Sequence, residues 1–177
     1  MTKTTQLTFE QDVIETAERL HLDTDDYRVS TGEGSRPYTE GTAERLATAL
    51  KVFRVRALAG DFKGLTLTDI MRKNQAAFIE SMRERGYTPG KIGSGIDEVK
   101  KTHGSMHAWD DLPESERFKS RIFLHNAIPF VERWPLDGGN QTTLTPCHRS
   151  NCADYIAEFP DAPWPVGPRP GDWIEFL

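Results

Sequence analysis

Apolar residues return at helical intervals in four stretches of the chain, with turn-forming residues between them. In TFEQDVIETAERLHL (8–22), Phe9, Val13, Ala17 and Leu20 fall on one face. Thr8, followed three residues later by Gln11, has the spacing of a reciprocal N-terminal cap, so a helix is predicted over 8–22. The following DTDDYRVSTGEGSRPYTEG (23–41) is polar and rich in turn formers, and reads as a loop. A second helix is predicted over 42–59. Thr42 stands at its start, Leu46, Leu50, Phe53 and Ala57 line one face, and Gly60 follows where a helix-ending glycine belongs. A third is predicted over 69–85, capped by Thr68, with Ile70, Met71, Ala77, Phe78 and Met82 sharing a face and Gly86 ending it.

Between 86 and 110 the periodicity fades, and glycines stand at 86, 90, 93, 95 and 104. A fourth helix is expected from DDLPESE onward. Asp111 and Glu114 have the capping-box spacing, Pro113 is tolerated in a first turn, and Phe118, Ile122 and His125 carry one face as far as Pro129. Eight of the eleven prolines lie after residue 128, together with Trp134, Trp164 and Trp173. The expected fold is mainly α: an N-terminal helical extension (1–67), a helical module with irregular loops (68–130), and an irregular Pro/Trp-rich segment (131–177) packed on it, with room for a short strand at DWIEF.

Composition narrows the function. A net charge of −5 argues against a coat for nucleic acid polymers, whose phosphates demand a basic surface, but leaves room for a local basic pocket. No apolar run reaches the length of a membrane span, and MTKTTQLTFEQDV has no apolar export stretch, so a cytoplasmic protein without membrane attachment is expected. Cys147 and Cys152 make no disulfide framework. With His148 they form a poor zinc set, lacking a second close ligand pair, and His103 and His107 lie in loop-like sequence, so neither a metal nor a cofactor is expected. PGKIGSG (89–95) has the wrong order for a phosphate loop.

The chemistry concentrates in KKTHGSMHAWDDLPESERFKSR (100–121). Lys100, Lys101 and His103 stand near Tyr87 and Trp109, a combination that suits stacking of a base and neutralisation of a phosphate. Arg121, in the following helix, either reaches the same cleft or pairs with an acidic neighbour. The competing reading makes Tyr87 and Trp109 core anchors of an irregular loop, and the lysines a solvated pair. The carboxylates of DDLPESE are explained by their position at a helix start.

Residues 74–128 resemble a RyR domain, the repeat module named from ryanodine receptors that also occurs singly in bacterial and phage proteins. The resemblance rests on Gly86-Tyr87, on Lys101-Thr102-His103, on Trp109 followed by Leu112–Glu116, and on Arg121 in the next helix. Gln75 stands where the family often has histidine, Phe78 replaces a tryptophan, Gly104 a proline, and Ser120 an acidic residue. The resemblance implies a small helical module that is usually not catalytic, is associated with nucleotide-like signals in bacteria, and is often paired, so that a single copy would form a homo-oligomer. The expected function is non-enzymatic binding of a small anionic, nucleotide-derived ligand, for sensing or sequestration, through Tyr87, Lys100, Lys101, His103, Trp109 and Arg121. The alternative is a protein-interaction or oligomerisation module without a small ligand.

Overall fold

The computed structural model describes residues 7–134. Four helices dominate: α1 (Phe9–Ser30), α2 (Glu40–Leu58), α3 (Leu67–Glu84) and α4 (Glu114–Arg133). Between α3 and α4 lie three two-residue strands, β1 (Thr88–Pro89), β2 (Ile96–Asp97) and β3 (Thr102–His103), and a short 3₁₀ turn, Trp109–Asp111. The protein is mainly α, as the periodicity predicts. The expected terminal strand DWIEF, the zinc candidates Cys147, His148 and Cys152, and most of the Pro/Trp-rich segment lie outside the described residues.

Each helix start differs in detail from the expectation except the first. The Thr8 side chain accepts from Gln11 N while the Gln11 side chain accepts from Thr8 N, a complete capping box. Helix α1 then continues to Ser30, into the first part of the stretch read as loop, while residues 31–39 are non-helical as expected. Thr24 Oγ1 donates back to Leu20 O at 2.7 Å, and the Tyr27 ring stacks on Phe118 of α4 with centroids 4.5 Å apart. These tertiary and side-chain contacts outweigh the low helix propensity of its aspartates and threonines. Gly32, at φ +81°, starts the turn that follows. The caps of α2 and α3 are Thr39 and Thr66, not Thr42 and Thr68, because each accepts from the amide three residues on.

The largest correction concerns α4. Asp111 is not its cap: it ends the 3₁₀ turn, and the N-cap is Pro113, without a side-chain hydrogen bond. Nor does Pro129 end the helix, which continues to Arg133. An interior proline removes a hydrogen bond and crowds the preceding turn, at roughly 3 kcal/mol. Here Ile128, Phe130 and Val131 on either side are all buried, and burying each stabilises by about 1.5–3 kcal/mol.

Helices α1, α2 and α4 pack on one another, while α3 packs on the 3₁₀ turn and against α4. The main core joins Val13 and Ala17, Leu50 and Phe53, Leu67, Ile70 and Met71, Trp109 and Leu112, and Leu124, Ile128 and Phe130. Residues 7–67 and the stretch after them therefore share one core. At its base, buried Asp12 accepts from Arg133 Nε (2.8 Å) and Nη2 (2.9 Å) and from Trp134 Nε1 (2.6 Å), tying the start of α1 to the end of α4. No helix among the described residues is long and apolar enough to cross a membrane.

Candidate functional site

The irregular stretch between α3 and α4 folds around β3, the middle strand. It pairs in parallel with β1 (Thr88 opposite Thr102) and antiparallel with β2 (Ile96 opposite His103). Its shape is fixed mainly by uncharged groups. The buried Gln75 amide donates to Ser105 O at 2.6 Å and His107 O at 2.9 Å, and His107 Nε2 lies 2.8 Å from Gly90 O. Gly104 is required: a Cβ there would stand 2.5 Å from Lys91 O and 2.7 Å from Ser94 N.

Tyr87 and Lys101 do come together, but as a satisfied unit. The Tyr87 ring is buried with Met82 and Met106, and its hydroxyl donates to the Glu98 carboxylate. Lys101 Nζ lies 3.0 Å from that carboxylate, 3.3 Å from the Tyr87 hydroxyl and 4.8 Å from the ring centroid. The hydrogen bond that Lys101 donates to Glu98, then the one it donates to Tyr87, raises its pKa above the usual lysine value. Lys101 also holds a left-handed backbone, φ +52°. Lys100 turns to Asp97 at 3.7 Å with its side chain largely in solvent. Trp109 belongs to the main core, apart from the Tyr87 cluster, with the Arg117 guanidinium 6.0 Å from its ring. Arg121 is buried and pairs with Glu114. Tyr87 and Trp109 thus anchor two separate apolar clusters.

His103 is the sequence candidate with an unusual setting. It is half-buried, its ring edge-on to Phe78 with centroids 5.3 Å apart. Its Nδ1 accepts from Ser105 N at 3.1 Å, which in the neutral ring leaves the proton on Nε2. Burial lowers its pKa first, and Arg45, Arg36 and Arg85 lower it further, with Glu116 opposing. Three guanidiniums thus act on one imidazole from the segment before α2, from α2, and from the end of α3.

The Arg36 segment is pinned onto α1. Asp25 accepts from Ser35 Oγ (2.5 Å) and Arg36 N (2.6 Å), and His21 Nε2 lies 3.1 Å from Arg36 O. This holds the Arg36 guanidinium against Gly95, where a Cβ would meet Nη2 at 3.5 Å. Among the described residues neither Arg36 nor Arg45 takes part in an ion pair. Arg28, on α1, has a buried Nε without a hydrogen-bond partner, and its pKa is lowered by burial and then by Arg36. Glu116, which opposes the arginines at His103, accepts from Ser105 Oγ at 3.1 Å and pairs with Lys119 at 2.8 Å, and Lys119 also holds Glu33 at 2.7 Å.

This arrangement suits capture of an oxyanion. Planar guanidiniums offer paired donors to phosphate or carboxylate oxygens, and a neutral histidine adds one more. The arginines escaped the sequence reading because no local spacing relates 36, 45 and 85 to 103. The described residues hold no group of three or more His, Cys, Asp or Glu able to bind a metal. Comparisons with models of known protein families, with curated proteins and with solved structures found no match.

Proposed function

We propose that the chain is a non-enzymatic binding module for a small anionic, nucleotide-derived ligand, acting in sensing or sequestration, and that its anion sits beside His103. The observation that carries this reading is half-buried His103, on which the charges of the exposed Arg45, Arg36 and Arg85 act, none of the three in an ion pair with a described residue. The resemblance of residues 74–128 to a RyR module supports the same class of ligand. The site differs from the expected one: His103 stays, Arg36 and Arg45 join it, and Tyr87, Lys101 and Trp109 support the loop that carries it.

Calorimetry against mono-, di- and cyclic nucleotides and ADP-ribose derivatives tests the reading. Arg36→Gln and Arg45→Gln alter exposed side chains, so the fold should persist. Each should weaken binding by about ten-fold, the order expected for losing a charge-assisted hydrogen bond, and should flatten its salt dependence. A folded wild type that binds none of the panel up to millimolar concentration removes the proposal.

The second reading, an interaction or oligomerisation module, draws on Ile14, Leu22 and Val29, exposed at 60, 54 and 56%. At intervals of eight and seven residues they fall on one side of α1. Sedimentation of wild type and of Leu22→Glu separates the readings: a dimer abolished by the substitution, in a protein that binds no nucleotide, favours this one.

A further inference from the structure

The connection from α1 to α2, residues 31–39, is exposed along its whole length, so no buried side chain ties it down. It is held by contacts to two helices. Asp25 of α1 accepts from Ser35 Oγ and from Arg36 N, and His21, one turn earlier, donates from Nε2 to Arg36 O. The His21 ring also meets the Tyr38 ring, with centroids 4.9 Å apart. From α4, Lys119 holds Glu33. A segment anchored by exposed hydrogen bonds, with little apolar burial, opens locally at much less than the free energy of global unfolding.

Arg36 is the residue that these contacts single out. Both of its backbone groups are clamped, the N–H by Asp25 and the carbonyl by His21, which lie four residues apart on one face of α1. Its guanidinium is in no ion pair with a described residue and lies against Gly95, just before β2. A clamp on the main chain that leaves the charged side chain unpaired places that charge without neutralising it. Arg36 acts with like charge on Arg28, where Glu33, Asp25 and Glu116 oppose it. Together with Arg45 and Arg85 it also disfavours a proton on His103, where Glu116 again opposes.

We infer that residues 31–39 are a releasable strap, latched on α1 by Asp25 and His21, and that these two are positioning residues which seat Arg36 on the loop carrying His103. The strap follows from its contacts to α1 and α4; its service to a ligand rests on the anion site proposed above. An anion beside His103 attracts the Arg36 guanidinium most strongly while the strap is down, so binding and closure favour each other.

The test reads the strap without a ligand, through the NMR titration of His103 in the whole protein, so that its failure is told apart from failure of the anion site. Arg36→Gln removes a cation that disfavours the protonated ring and should shift the titration upward. Asp25→Ala should shift it upward as well, because the unlatched strap carries Arg36 away. The sign discriminates: loss of the Asp25 carboxylate by itself withdraws negative charge and would shift His103 downward. In an Arg36→Gln background, Asp25→Ala should give no upward shift. Ser35→Ala removes one latch bond from an exposed position, alters no charge, and should move His103 upward by less. A titration that falls or stays in place in Asp25→Ala overturns the inference, as does a rise that persists without Arg36. Should Asp25→Ala not fold, Ser35→Ala decides alone, and an unmoved His103 there overturns it. For a nucleotide that binds the wild type, Asp25→Ala should weaken binding about ten-fold, as Arg36→Gln does; undiminished binding overturns the strap's service to the ligand.

Discussion

Replacing Asp12 with alanine should be among the most damaging single changes in the chain. Asp12 is 5% exposed and accepts two hydrogen bonds from Arg133, one from Trp134 Nε1 and a longer one, 3.3 Å, from Thr16 Oγ1. Its removal leaves the Arg133 guanidinium, 8% exposed and already carrying an unpartnered Nη1, without an anion in the core. Breaking a buried pair from one side costs about 3–5 kcal/mol, against a total stability of roughly 5–15 kcal/mol. Urea unfolding followed by tryptophan fluorescence measures it. At a slope of about 1–3 kcal/mol per molar, the midpoint should fall by about 1 M or more. Arg133→Met in the same background should recover part of the loss, because an apolar side chain has no charge to strand. An Asp12→Ala protein within about 1 kcal/mol of wild type, or a double variant weaker than the single one, would refute the argument.

Two further outcomes are expected. Thr8→Ala should cost on the order of 1 kcal/mol in chemical denaturation through loss of its capping box, whereas Asp111→Ala should stay within about 0.5 kcal/mol; equal losses would contradict the caps assigned to α1 and α4. Stability should also fall as the pH drops below the ordinary histidine value of about 6.5, because burial lowers the pKa of both His103 and His125. The unfolded chain then binds protons that the folded one refuses, so stability is fully present above that pH and is lost below it. His103→Gln should make the acid side of the melting profile shallower, and an unchanged profile in that variant would count against the environment described for His103.

The helices were legible because their stabilising groups are close in sequence. Phe9, Val13, Ala17 and Leu20 repeat at helical spacing, and Gly60 and Gly86 take the positive φ that ends α2 and α3. What was illegible depends on distant partners. The second half of α1 reads as loop until Phe118, 91 positions away from Tyr27, is seen stacked on it. Pro129 reads as a stop until its buried neighbours are counted. The same distinction governs the site. Lys100 and Lys101 drew the eye by adjacency, yet Asp97 and Glu98, equally local, engage them. Arg36, Arg45 and Arg85 are separated from one another and from His103 by elements whose packing alone brings their charges to bear on it.

Gln75 shows how that concentration of charge is made tolerable. It bridges two carbonyls, Ser105 O and His107 O, and so supplies two donors from one group. A histidine at this position would do the same less well. A neutral imidazole has one N–H, and only the charged ring has two. A charged ring at this point would add a further cation next to a loop on which three arginines already act, and would lower the affinity of His103 for its own proton still more. The amide holds the loop without charge at any pH. The positive charge acting on His103 therefore comes from the exposed side chains of Arg45, Arg36 and Arg85, while the loop itself rests on Gln75, Gly104 and His107.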